Sequence, residues 1–186
     1  MPGGVLSDHE IRALCEGEDP MLRPFLHTQE GKPSYGLGSF GYDLRLGTRF
    51  LVPLGGVNAV LDPIDFPDHH FREIEVNGSL ELSPNSQVLA ESVEHFAMPD
   101  DVCGVCWGKS SYARCGLLVN VTPLEPGWRG VLTIELANVS PLPIRLHVGQ
   151  GIAQVVFFRG MRPARTYAEK ESGGEYQNQT GVTLPR

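Results

Sequence analysis

The sequence predicts a mainly β domain, a β-sandwich, jelly roll or distorted barrel entered through one short helix. Three observations carry this. Gly (22) and Pro (15) are abundant and cut the chain into short segments, as a turn-rich β architecture requires. Those segments recur at roughly ten-residue spacing, the interval of small sandwiches and barrels. After residue 17 no long stretch keeps a helical period.

Taken in order, the first element is the helix. Ser7-Asp8-His9-Glu10 reads as a capping box, in which the Ser hydroxyl and the Glu carboxylate satisfy each other's backbone amides. Ile11, Leu14 and Cys15 follow at helical spacing, and the helix is expected to stop near Gly17. Strands are expected at 42–46, 49–54, 73–75, 87–93, 102–106, 117–122, 131–137, 144–146 and 152–157, each an apolar or alternating run bounded by turn residues. Residues 55–72 (GGVNAVLDPIDFPDHHFR) read as a long loop. Residues 169–186 are polar and Gly-rich, the composition of a frayed tail or of a lid that orders over a ligand or a neighbouring subunit.

At 186 residues the chain is expected to form one domain, 1–186, large enough to bury its own core. A net charge of −7 is incompatible with a broad basic face, so nucleic acid is not an expected partner. A few clustered cations can still hold a small polyanion. Apolar runs such as VVFF at 155–158 are too short to span a bilayer, and MPGGVLSDHE lacks the basic and apolar regions of a secretory signal. Four cysteines (15, 103, 106, 115) do not suggest a disulfide framework, and the expected setting is a reducing cytoplasm.

Two segments carry candidate chemistry. Residues 103–111 (CGVCWGKSS) approach a phosphate-binding P-loop, but Gly104 and Gly108 are one residue too close for that motif. The CGVCW half reads as a buried strand with its cysteines as packing; the GKSS half remains a candidate phosphate contact. The second segment is a hairpin in which residues 117–122 and 131–137 bracket PLEPGWRG (123–130). Leu132, Ile134 and Leu136 alternate with Thr133 and Glu135, placing Thr133 and Glu135 together on the opposite face. Glu135 is then a solvated carboxylate or one that lines a pocket.

GKSSYARCG (108–116), NVTPLEPGWRG (120–130) and LTIEL (132–136) resemble the bacterial dCTP deaminases, a branch of the trimeric dUTPase superfamily. SFGYDLRL (39–46), GIAQVVF (151–157) and EYQNQTGVTLP (175–185) extend the likeness along nearly the whole chain. The resemblance implies a dUTPase-like distorted β-barrel or jelly roll, assembled as a homotrimer with nucleotide sites between subunits. It implies hydrolysis of dCTP to dUTP and ammonia, feeding dUMP and thymidylate synthesis, with dTTP as a possible feedback inhibitor. Two alternatives stand beside it: a bifunctional enzyme that carries dUTP on to dUMP and pyrophosphate, and a non-catalytic nucleotide-binding regulator.

Residue by residue, Glu135 matches the family's catalytic glutamate, a group able to pass protons between water, ring and leaving amine. Ser110 and Arg114 match residues that hold the water and the developing tetrahedral centre. Lys109, Ser111 and Arg114 match triphosphate contacts, with Tyr112 and Ala113 in the same motif. Gln154, Tyr167 and Gln179 match further nucleotide contacts, some from a neighbouring subunit. Thr133, Ile134 and backbone at 121–124 would read the base; Glu125 would meet the 3′-hydroxyl and Trp128 the sugar. Glu125 stands where related dUTPases have an Asp, and Glu175 where many relatives have a Lys. Asp43 matches a motif near the subunit interface, and Arg45 reads as structural. Mg²⁺ is expected only through the phosphates. Zinc is not expected, because no histidine begins an H-x-E motif and Cys103-x-x-Cys106 lacks its preceding Pro.

Overall fold

The computed structural model describes residues 3–55, 60–171 and 173–185. Residues 56–59 of the expected 55–72 loop, and 172 and 186 of the C-terminal segment, lie outside them. The chain is mainly β. Strand β1 (Gly4–Val5) precedes helix α1 (Asp8–Cys15), then β2 (Leu22–Arg23), β3 (Gly36–Leu37), β4 (Tyr42–Pro53), β5 (Phe71–Glu75), β6 (Ser79–Leu82), β7 (Gln87–Ala97) and β8 (Val102–Gly108). A single helical turn, α2 (Ser110–Ala113), leads to β9 (Leu117–Asn120), β10 (Arg129–Asn138), β11 (Ile144–His147) and β12 (Gly151–Arg159). Helix α1 starts where the capping box predicts, the Ser7 amide donating to Glu10 Oε2 at 3.0 Å, and buries Ile11 and Cys15.

The strands form one curled sheet in the order β1-β12-β4-β7-β10-β9, with β2, β3, β5 and β8 paired to its sides, and a separate β11-β6 ribbon. Strand β4 explains the curl. Its first residues pair with β12, while residues 49–53 pair with β5 and its register against β7 slips between Leu46 and Phe50. The sequence reads this strand as two, at 42–46 and 49–54, because Gly47 looks like a break. Gly47 is instead the bend, packed so closely on Glu91 that a Cβ there would sit 2.9 Å from the Glu91 carbonyl oxygen. A single strand can serve two sheet directions at such a bend. The two-residue strands β1, β2 and β3, the ribbon strand β6 and the turn α2 are additions to the expected elements.

The core lies inside the curl. Leu44, Leu46, Phe50, Phe96, Ile134, Leu136, Val155 and Phe157 are fully buried, each stabilising the fold by about 1.5–3 kcal/mol before entropy is charged against it. Strand β10 alternates as predicted: Leu132, Ile134 and Leu136 face this core, and Thr133 and Glu135 face the other side. Strand β8 corrects the reading of CGVCW as a buried strand. Only Val102 and Gly104 are buried, and Trp107 is 53% exposed. Cys103 and Cys106 are free and, three apart on a strand, point to opposite faces. No described helix is long and apolar enough to cross a membrane.

Candidate active site

The outer face of β10 forms the floor of a cavity of about 670 Å³, in which Glu135 and Thr133 stand side by side. One wall is the β9–β10 connection, Val121 to Glu125. An apolar wall comes from Leu61, Phe66, Phe71 and Leu89. The roof comes from Tyr167 and from the C-terminal segment, through Tyr176, Gln179, Thr183, Leu184 and Pro185. A mostly apolar pocket with a few convergent polar groups is the usual form of a small-molecule site.

Glu135 is half-buried, and Asn120 Nδ2 donates to its Oε2 at 3.1 Å. That contact follows from the hairpin register, which sets Asn120 opposite Glu135. Burial pushes the Glu135 carboxyl above its ordinary range; hydrogen bonds from its own backbone amide and from Asn120 oppose the shift without cancelling it. A carboxyl shifted in this direction exchanges protons nearer neutrality than a solvated one. Glu125 is held by Lys170 Nζ at 2.7 Å, and that ammonium also lies 4.4 Å from the Tyr167 ring centroid. Trp128 is only 6% exposed, its indole N–H donating to the Tyr176 carbonyl at 3.0 Å. It anchors the roof and also lines the cavity, between Glu125 and β10.

The C-terminal segment runs beside the start of β10. Asn178 N donates to Arg129 O at 2.8 Å and Val131 N donates to Gln179 O at 2.9 Å, a parallel bridge between Gly130 and Gln179. Thr183 N donates to Thr133 Oγ1 at 3.0 Å, and the Gln179 side-chain amide donates to Val131 O. Tyr167 OH accepts from Tyr176 N at 3.0 Å.

A second polar cluster sits at the β8–α2 junction, outside that cavity. Lys109 Nζ donates to Asp43 Oδ2 at 2.5 Å, and Gln29 Nε2 donates to the same oxygen at 2.7 Å. Asp43 is 2% exposed and is the register partner of Gln154. Ser110, Ser111, Ala113 and Arg114 follow on exposed positions, with Arg114 Nη1 donating to Ser110 O at 3.2 Å. Arg45 is structural, as read: its Nε donates to Glu94 Oε1 at 2.8 Å and its amide to Oε2 at 3.0 Å.

A family model described as dCTP deaminase-like matches residues 5–160. The chain is 45% identical over 185 residues to the dCTP deaminase of Acidobacterium capsulatum, covering 98% of each. It is 45% identical over 186 residues to that of Campylobacter jejuni (strain RM1221), again covering 98% of each. The chain belongs to the dCTP deaminase-like family. As a member of it, the chain is an enzyme. The crystal structure of 2'-deoxycytidine 5'-triphosphate deaminase from Agrobacterium tumefaciens superposes with a TM-score of 0.68 at 22% identity, over 92% of this chain, which supports the fold. The present chain spans about half of that one, 54%.

Among the dCTP deaminase-like motifs, then, one chain gathers Glu135, Thr133, Glu125, Tyr167 and Gln179 at the cavity. It places Lys109, Ser110, Ser111, Arg114 and Gln154 elsewhere. Two side chains expected at the substrate are committed to the interior. Tyr112 is 5% exposed and its hydroxyl accepts from His147 N at 3.0 Å; Ile134 is fully buried under β10. Either could meet a ligand only through its backbone. Asn120, Lys170, Tyr176 and the apolar wall were not singled out from the sequence. Asn120 and Tyr176 lie inside the family motifs, but the register and chain path that bring them to the cavity are tertiary.

Proposed function

We propose that this chain hydrolyses dCTP to dUTP and ammonia, without zinc, using Glu135 as the proton carrier. The observation that carries the reading is a half-buried carboxyl with a raised pKa, steadied by Asn120, on the floor of a cavity roofed by the C-terminal segment. The Glu135 carboxylate takes a proton from water as the oxygen adds to C4 of the cytosine, and the proton passes to ring N3. The new C4 hydroxyl then yields its proton through Glu135 to the amino group, which leaves as ammonia as the C4 carbonyl forms. Water enters, ammonia leaves, and the carboxylate is restored. Thr133 and the backbone at 121–124, which line the cavity beside Glu135, would read the base edge, and a buried hydrogen-bonded site discriminates strongly against a partner that cannot pair.

Lys109, Ser110, Ser111 and Arg114 supply the charge and hydroxyls for a triphosphate and for the attacking water. Because they lie outside the cavity of their own chain, we assign them to the cavity of a neighbouring copy, in a homotrimer. Mg²⁺ would enter with the nucleotide: no three His, Cys, Asp or Glu side chains converge among the described residues, so phosphate oxygens and water would be its main ligands. dTTP, sharing the sugar and triphosphate, would compete for the same cavity. Residues 169–186 serve as the lid of this single domain.

The test is product analysis on dCTP and dUTP in parallel, with Mg²⁺ and with a zinc chelator present. Ammonia and dUTP from dCTP, unchanged by the chelator, are expected. Pyrophosphate from dUTP would replace this reading with the bifunctional one, and binding without any product would leave a regulator.

A further inference from the structure

We propose that Arg49 is a positioning residue that latches the C-terminal segment over the cavity without lining the cavity itself. The kinetic part of this inference rests on the proposed deamination; the structural part does not.

Arg49 projects from β4 beside the bend at Gly47. Its Nε donates to both Glu91 oxygens, at 3.1 and 3.0 Å, and its Nη2 lies 2.7 Å from Glu91 Oε2. Glu91, on β7, is 7% exposed, so the fork is pinned from below. The same Nη2 donates to the Thr180 carbonyl at 2.7 Å. Gly181 then lies flat on the guanidinium: a Cβ there would stand 2.5 Å from Nη2 and 2.7 Å from Cζ. Thr180 and Gly181 sit between Gln179 and Thr183, the two residues that bond to β10 and roof the cavity.

The chemistry of the contact selects Arg. One planar cation satisfies a carboxylate on one side and a carbonyl on the other while offering a flat surface to a residue without a side chain. An ammonium has neither the fork nor the face. Thr180 is exposed and flanked by Gln179 and Gly181, none of them an apolar side chain, so the charge-assisted bond to its carbonyl is a direct tie on this part of the segment.

Two variants test this from opposite sides. Arg49→Lys keeps a cation for Glu91 but loses the bridge; Gly181→Val leaves the Arg49–Glu91 pair intact but blocks the seat. Hydrogen exchange of residues 173–185, followed by mass spectrometry, should accelerate on the order of 10- to 100-fold in both, the loss expected for one hydrogen bond to a charged group. Exchange in β4, β7 and β10 should stay as in the wild type, and kcat/KM for dCTP should fall by a similar factor. Tail exchange within twofold of wild type in both variants overturns the latch. Acceleration spread through β4 and β7 overturns it too, in favour of a general stabilising role. If the wild type turns over no dCTP, the functional reading fails, and unchanged or accelerated tail exchange still decides the latch.

Discussion

Replacing Glu135 by Gln separates what the carboxyl does for catalysis from what it costs the fold. The change keeps size and shape and an oxygen for Asn120 Nδ2, but removes the exchangeable proton. A positioned proton carrier contributes about 10²–10⁴-fold. Here one group serves water, ring nitrogen and leaving amine, so a loss near the upper end is expected, about 10³–10⁴-fold in kcat, or about 4–5.5 kcal/mol of barrier. Nucleotide binding should survive. Stability should move the other way. Burial raises the Glu135 pKa in the folded state, so between the ordinary carboxylate value and the raised one the folded chain holds more protons than the unfolded. Wild-type stability therefore declines as pH rises through that window, by at most about 1.4 kcal/mol per pH unit, and by less where the open cavity screens the charge. The Gln variant carries no such penalty. Its melting temperature should match the wild type below about pH 4, pull ahead as pH rises through that window and keep a constant lead above it, each kcal/mol being worth about 2–4 °C in a chain of this size. Ammonia release and a thermal-melt series across pH check both halves. Retained turnover, or a melting difference that shrinks with rising pH, would refute the assignment.

Two further perturbations address paired charges that lie outside the cavity lining. Arg45→Met strands the fully buried Glu94 carboxylate and should cost about 3–5 kcal/mol in denaturant unfolding, while Arg45→Met with Glu94→Leu should recover most of it, since a removed pair leaves no uncompensated charge. Lys109→Met should raise KM for dCTP with a smaller change in kcat, but it also frees Asp43, which is 2% exposed. The same KM rise in Lys109→Met with Asp43→Asn, with stability restored, would assign the effect to phosphate binding rather than to folding.

How far the sequence carried the structure depends on the range of the interaction involved. Strand β10 was legible because its alternation is local: Leu132, Ile134 and Leu136 declare one face and Thr133 and Glu135 the other, whatever the partners. Helix α1 was legible for the same reason, its cap lying within four residues of its start. Strand β4 was not, because a glycine that ends a strand and a glycine that bends one look alike until Glu91 is known to pack on it. Composition left the C-terminal segment open between a frayed tail and a lid, because its docking, largely through backbone bonds to Arg129 and Val131 and through the Thr180 carbonyl, is not something composition encodes. The site divided in a similar way. The likeness of ordered motifs named Glu135, but its Asn120 partner required a hairpin register, and the Lys109–Asp43 pair joins residues 66 positions apart.

That pair bears on how the charges of a triphosphate are met. The cavity of one chain presents two carboxylates, Glu125 and Glu135, and no Lys or Arg among the described residues that line it; Lys170, beside it, is already committed to Glu125. Four phosphate charges brought into such a cavity would face repulsion in a setting where burial weakens screening. Arg114 and the hydroxyls of Ser110 and Ser111 are exposed and outside the cavity lining, while Lys109 is held in a fixed orientation by a buried partner rather than left to swing. A site that reads the base in one chain and neutralises the phosphates from another resolves both facts on the proposed reading. Within one chain it keeps the acid group that moves protons apart from the cations that would depress its pKa.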